Sequence, residues 1–393
     1  MGRHAFSGQT AIVGIGATEF SKNSGRSELR LALEACVAAC EDAGLDPKKV
    51  DGLSTFTMET NPETDIMRGL GIDELKHFSR IHFGGGAPCG TVQYAAMAVN
   101  EGVADYVIAY RAFNERSGAR FGAGVQARPA GVTAEEAQFS WTSPYGLLTP
   151  ASWVAMFATR MMHEHGITSE DFGRVTVADR KHAANNPAAH FYQQPITLED
   201  HQSSRWICEP LHLLDCCQET DGGQAILVTT LERAKDLAHE PVVIEAAAQG
   251  MADEQQMMRS YYRDSLAGLP EMGTCAKQIW ENSGLGPDDV QTAVLYDHFT
   301  PFVLAQLEEF GFCGRGEAKD FIKDGAIEIG GRLPVNTHGG QLGEAYLHGM
   351  NGIAEGVRQV RGTSVNQVDA VEHCLVTGGT GVPTSALMLG KHR

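Results

Sequence analysis

Short apolar runs alternate with longer amphipathic stretches along this chain. Residues 11–16 (Ala-Ile-Val-Gly-Ile-Gly) predict a first strand, and residues 29–43 an amphipathic helix closed by Gly44. A second strand is predicted over 50–56. The run Gly84-Gly85-Gly86 precedes a helix, and residues 106–110 predict a third strand. Strands alternating with helices imply a parallel sheet. The plan recurs later, with a strand over 241–248 and a helix over 266–282. There Gly284-Leu285-Gly286-Pro287-Asp288-Asp289-Val290 matches Gly44-Leu45-Asp46-Pro47-Lys48-Lys49-Val50 at Gly, Leu, Pro and Val, just before the second strand of each half. A second match sets Gly85-Gly86 and Gly102-Val103 against Gly339-Gly340 and Gly356-Val357 at identical spacing. Two matches in the same order point to an internal duplication. Between the halves lies an insertion over about 113–206. In it, 141–149 reads as loop, because Ser143, Pro144 and Gly146 break any period, and 153–165 reads as helix. Such an insertion usually covers a binding site.

Composition narrows the class. Of 393 residues 42% are hydrophobic and 20% charged, enough for a sizeable core in two or three domains or one large α/β unit. The net charge of −18 opposes nucleic acid and anionic membrane surfaces as partners, but not an anionic small ligand. No apolar stretch of ~18 residues predicts a membrane span. The start Met1-Gly2-Arg3-His4-Ala5-Phe6 lacks the apolar core of a signal peptide, and Phe6 stands where a myristoylation motif needs Ser or Thr. The nine cysteines include no Cys-x-x-Cys and read as reduced thiols of a cytoplasmic protein. Cys36 and Cys40 share a helix face and read as core. No metal site is expected: His163-Glu164-His165 lacks the spacing that puts two imidazoles on one helix face, and Cys216-Cys217 are too close to chelate as a pair. Gly14-Ile15-Gly16 lacks the third glycine of a dinucleotide motif.

The densest chemistry lies between Asn336 and Gly352, where five glycines surround His338, Glu344, Tyr346 and His348. Glycine at that density lets backbone approach a ligand and frees N–H groups for negative charge. A helix starting inside the segment would add its positive dipole end and present Tyr346 to a bound anion. A phenol, with an ordinary pKa near ~10, is a proton donor at neutral pH.

Two similar α/β halves around a loop domain resemble the thiolase superfamily, and the motifs resemble its sterol carrier protein X-like branch. Leu211-His212-Leu213-Leu214-Asp215-Cys216-Cys217, running to Asp221-Gly222-Gly223, looks like the segment that ends the loop domain. Tyr296-Asp297-His298-Phe299-Thr300 resembles that branch's His-Asp-Cys-Phe motif, and Asn336 to Gly340 its Asn-Pro-Ser-Gly-Gly. Ala345-Tyr346-Leu347-His348-Gly349-Met350-Asn351-Gly352 resembles Gly-His-Pro-x-Gly-Ala-Thr-Gly, and Thr377-Gly378-Gly379-Thr380-Gly381 the closing glycine run. The resemblance implies an α/β thiolase fold: duplicated βαβ halves with mixed five-stranded sheets in a layered α/β/α/β/α core, plus a loop domain. It divides the chain into an N-terminal half (1–112 and 207–240), a loop domain (113–206) and a C-terminal half (241–393).

Four catalytic positions depart from the thiolase pattern. Ala87 stands at the nucleophile position with Cys89 two residues off, and Leu375 at the acid/base position with Cys374 one residue off. The oxyanion-hole position is Tyr296, and the histidine of Gly-His-Pro is Tyr346. Those departures resemble the thiolase-like aldolases of bacterial steroid side-chain degradation. That family's retro-aldol cleavage of a β-hydroxyacyl-CoA, which the resemblance implies here with a bulky steroid acyl group, gives a ketone and a shortened acyl-CoA. The family works as a homodimer beside a small zinc-binding OB-fold partner, takes a coenzyme A thioester as substrate, and needs no other cofactor.

The residues fit that chemistry. Thiolysis requires a thiolate, whereas a retro-aldol step requires a base for the β-hydroxyl proton, an acid for the departing carbon and donors for the enolate oxygen. Tyr296 and Tyr346 serve as base and acid in either order, supported by His298 and His348. Gly379 N–H and His338 are candidates for the enolate oxygen, and Asn336, Gly339 and Gly340 for substrate binding. Two other functions compete: a cysteine-dependent 3-ketoacyl-CoA thiolase using Cys89, and a non-catalytic acyl-CoA or lipid carrier subunit.

Overall fold

The computed structural model describes residues 3–82, 84–118, 120–123, 139–381 and 384–392. Residues 119 and 124–138 of the predicted insertion, and Met1 and Gly2 of the N-terminal segment, lie outside the described residues. Eleven strands occur among the described residues: β1 Thr10–Ala17, β2 Gly52–Phe56, β3 His77–Ile81, β4 Val107–Asn114, β5 Trp206–Cys208, β6 Leu211–His212, β7 Asp221–Thr230, β8 Val242–Gly250, β9 Thr292–Val294, β10 His373–Gly378 and β11 Thr384–Lys391. Nine of them form one sheet in the order β3-β2-β4-β7-β1-β8-β11-β10-β9, and β5 and β6 pair separately.

That order contains the duplication. The run β2-β4-β7-β1 repeats as β9-β10-β11-β8, read outward to inward. In each half the outer pair is parallel (β2 with β4, β9 with β10) and the next pairs antiparallel. The sheet is therefore mixed, where strand–helix alternation alone implies a parallel one. The halves join by two residue pairs, Ala11–Val243 and Ile12–Val242. In the first half β3 adds a fifth strand, parallel to β2. In the second, that place holds only a bridge between Ala293 and Val335. Pro334 accepts the Ala293 N–H at 3.1 Å but has none to return, which shortens the ladder there.

Helices Pro88–Asn100 and Met350–Arg361 occupy the layer between the halves. One buried cluster joins them to both groups of strands, through Ala96, Val107 and Ile226 on one side and Ile353, Val376 and Leu387 on the other. Helix Glu28–Ala43 covers the opposite face of the first half, capped by the Ser27 side chain and ended by Gly44 at φ 68°. Gly14 and Gly16 explain themselves here. A Cβ on either would stand 2.1–2.2 Å from the Ala39 backbone, so these glycines let the helix lie on β1. Helix Pro270–Ser283 ends likewise at Gly284, φ 76°.

The first sequence repeat is structural. Both copies run from a left-handed glycine into a 3-10 turn (Pro47–Lys49, Pro287–Asp289) and then a strand. The second is a coincidence of spacing. Gly102 follows a helix at φ 69°, whereas Gly356 lies within Met350–Arg361, packed on Val376. The insertion supplies helices Pro150–His165, Ser169–Asn185 and Leu198–Ser203, each started by a threonine capping box. The stretch 141–149 is irregular apart from the end of a helical turn and a 3-10 turn, Ser143–Tyr145. No described helix is long and apolar enough to cross a membrane.

Candidate active site

A cavity of about 850 Å³ opens between the insertion and the C-terminal ends of β4, β9 and β10. Ligand sites in α/β sheets favour that edge. Glu115 follows β4, Tyr296 and His298 follow β9, and Gly379 and Thr380 follow β10; all five line the cavity, as do Tyr346 and His348.

Tyr296 is held tightly. Its N–H donates to Thr377 Oγ1 at 2.9 Å, and its carbonyl accepts Gln306 Nε2 at 2.8 Å. A Cβ on Gly85 would stand 2.0 Å from its hydroxyl, and one on Gly349 2.9 Å from its ring. Those two glycines make the slot for the phenol. The Tyr346 N–H donates to Thr220 Oγ1 at 3.2 Å, which brings the two phenol oxygens to 3.5 Å from each other. Both rings are buried, at 3% and 8% exposure. Burial pushes both hydroxyls well above the ordinary tyrosine value, so both are protonated in the ligand-free site.

The histidines are neutral. His348 has a left-handed backbone (φ 52°) and stacks on Phe113 at 5.0 Å. Its Nδ1 accepts Arg111 Nε at 3.2 Å, leaving Nε2 to carry the proton. Burial first, then the Arg111 charge, lowers its pKa far below the usual value. Arg111 also forms a buried ion pair with Glu59 at 3.0 Å. His298 stacks on Phe302 at 4.9 Å and lies 3.4 Å from Thr380 Oγ1; burial lowers its pKa to about 3.

Four candidates lie elsewhere: Asn336, His338, Gly339 and Gly340 are buried and absent from the cavity lining. Asn336 Oδ1 accepts the Leu295 N–H at 2.9 Å, which fixes the strand leading to Tyr296. His338 faces Glu344 at 3.8 Å. Gly339 (φ 109°) packs on Ala183, and Gly340 (φ 64°) on Asp297. The amides expected to bind a ligand anion are already occupied. Gln341 and Leu342 donate theirs to the Asp297 carboxylate at 2.9 and 3.0 Å. The helix they start, Gly340–Gly343, ends before Tyr346.

The thiols are unsuited to nucleophilic attack. Cys89 is fully buried, outside the cavity lining, with Sγ 3.7 Å from Val376 O. Cys374 is fully buried in β10. Cys216 and Cys217 reach the cavity, but burial raises both well above the ordinary thiol value.

Sequence reasoning missed Glu115, Arg111 and a set of cavity cations: Lys22, Arg116, Arg120, Arg180 and Arg205. Arg180 lies over the Phe191 ring at 3.6 Å and donates to Gln194 O at 2.7 Å. Arg120 pairs with Glu219 at 2.6 Å. These cations make a basic wall in a protein of net charge −18. Trp153, Phe139, Phe299 and Met258 give apolar surface to the same cavity. The site can thus hold a molecule with an anionic end and a large apolar end, with two phenols between neutral imidazoles.

Comparisons with known proteins agree with this geometry. The family described as "Thiolase C-terminal domain-like" matches residues 252–390. The chain is 70% identical to a 17-hydroxy-3-oxo-4-pregnene-20-carboxyl-CoA lyase of Mycobacterium tuberculosis, covering 98% of this chain and 100% of that one. It is 66% identical to a steroid side-chain-cleaving aldolase of Thermomonospora curvata, covering 98% and 99%. The solved structure of an Ltp2-ChsH2(DUF35) aldolase superposes with a TM-score of 0.95 at 65% identity, over 99% of each chain. The chain therefore belongs to the thiolase superfamily, within its steroid side-chain-cleaving aldolase family.

Proposed function

We propose that this protein is a carbon–carbon lyase that cleaves a steroid β-hydroxyacyl-CoA by a retro-aldol reaction. The observation that carries the reading is the pair of buried phenols, 3.5 Å apart on the cavity wall, where the thiolase pattern has its oxyanion-hole and Gly-His-Pro residues. In the substrate named for the Mycobacterium relative, the 17-hydroxyl is β to the thioester. Cleavage of C17–C20 yields a 17-ketone and propanoyl-CoA.

Proton bookkeeping fits two neutral phenols. One accepts the hydroxyl proton while passing its own to the other, which delivers a proton to the departing carbon. The relay needs no free tyrosinate and returns both groups to their starting state. It runs through Tyr296 and Tyr346 in either order. Gly379 N–H serves the enolate oxygen, and the basic wall receives the phosphates of coenzyme A.

We further propose that the chain acts in the cytoplasm as a homodimer beside a small zinc-binding OB-fold partner, and that it divides at 112/113, 206/207 and 240/241. The test is incubation of the protein, with and without its partner, with 17-hydroxy-3-oxo-4-pregnene-20-carboxyl-CoA. Formation of the ketone and propanoyl-CoA supports the reading. Tight binding without products returns the protein to the class of carriers.

A further inference from the structure

Glu115 stands one residue beyond β4, lines the cavity beside Tyr346 and Cys217, and is 2% exposed. The Thr220 N–H faces its carboxyl group, and Thr220 Oγ1 also takes the Tyr346 N–H at 3.2 Å. Oε2 has no hydrogen-bond partner among the described residues. The charged groups around it are Glu219, Arg111 and Lys22, and the other titratable ones are Cys217, Tyr296 and Tyr346. Arg111 is engaged with Glu59 at 3.0 Å, and Lys22 with Gln218 Oε1 and the Glu219 carbonyl at 3.0 and 2.7 Å. A carboxylate here would be a buried charge with little support. Burial, then the Glu219 charge, raises its pKa to about 9.

A neutral carboxylic acid has one accepting oxygen and one O–H. Oε2 is closed off from the cavity and has no partner among the described residues, so the O–H that can reach a bound molecule is carried by the other oxygen, Oε1, on the cavity lining. We propose that Glu115 donates a hydrogen bond to the substrate's thioester oxygen and stabilises the enolate formed as the carbon–carbon bond breaks. This rests on the retro-aldol reading. It also supplies the donor that His338, placed outside the cavity, does not. Buried carboxylic acids kept neutral by apolar surroundings stabilise enolates in other enzymes.

The test uses the lyase with its partner, the same steroid thioester, and Glu115→Leu and Glu115→Gln variants. Loss of one such donor lowers kcat by about 10²–10³-fold, so Glu115→Leu should show that loss with KM little changed. The Gln amide can still donate, so Glu115→Gln should stay within about tenfold. Wild-type kcat should fall as pH rises through about 9, and that limb should flatten in Glu115→Gln. Melting temperatures at or above wild type would separate this role from a structural one. Wild-type kcat in Glu115→Leu overturns the proposal. So does wild-type activity that rises through pH 9 with Glu115→Gln inactive, which would make Glu115 a base. If Glu115→Leu fails to fold, an unchanged alkaline limb in Glu115→Gln overturns it. Failure of the retro-aldol reading looks different: the wild type then forms no ketone.

Discussion

Gly85→Ala tests the slot that holds Tyr296. The added Cβ would stand 2.0 Å from the hydroxyl oxygen and 2.6 Å from the carbon bearing it. Ordinary contact begins at 3.4 Å, so the hydroxyl has to retreat by about 1.4 Å. The ring has little room to do so. Gly349 backs one edge, the Tyr346 hydroxyl lies 3.5 Å away, and Thr377 and Gln306 hold the backbone. Displacing a reacting group by about 1 Å lowers a rate roughly 10²-fold, or about 2.7 kcal/mol of barrier. Overpacking should also lower folding stability by about 1–3 kcal/mol. The assay is ketone release from the steroid thioester under saturating substrate, with urea unfolding of the same sample. A folded variant with kcat within threefold of wild type would refute the claim that this phenol's position governs the chemistry.

Tyr346→Phe should lower kcat by about 10²–10⁴-fold while leaving thioester affinity, measured by calorimetry, within a few-fold. Cys89→Ala should leave kcat within twofold in the same assay; its complete inactivation would instead favour a thiolase. Arg111→Met strands Glu59 as a buried charge and should cost about 3–5 kcal/mol in urea unfolding. His298→Asn should change acid sensitivity. In the native state the ring's pKa is about 3, below its unfolded value of 6.5, so the unfolded chain binds more protons below pH 6.5 and stability falls as pH falls. Relative to the variant, the wild type should lose about 1.4 kcal/mol per pH unit between pH 6 and 4 in denaturant titrations.

What the sequence reveals follows from how local each feature is. The Gly44–Val50 and Gly284–Val290 turns are set by neighbouring residues, so their match reports a real equivalence. Strand β3 is an edge strand with Phe78 67% exposed, and it lacks the apolar signature of the buried strands. Ala87, Leu375, Tyr296 and Tyr346 were legible because they break a pattern the rest of the chain keeps. Asn336, His338, Gly339 and Gly340 have polar or flexible character suited to a site, but tertiary packing spends it on Leu295, Glu344, Ala183 and Asp297. Glu115 and the basic wall are invisible to spacing, because positions 22, 115, 116, 120, 180 and 205 meet only in the folded chain.

Asp297 adjoins Tyr296 and grips the amides of Gln341 and Leu342, a few residues before Tyr346. Both phenols are thus bolted to one mount. The Asp297 carboxylate therefore sets where the 340–346 segment lies relative to Tyr296, and with it the 3.5 Å gap between the two phenol oxygens.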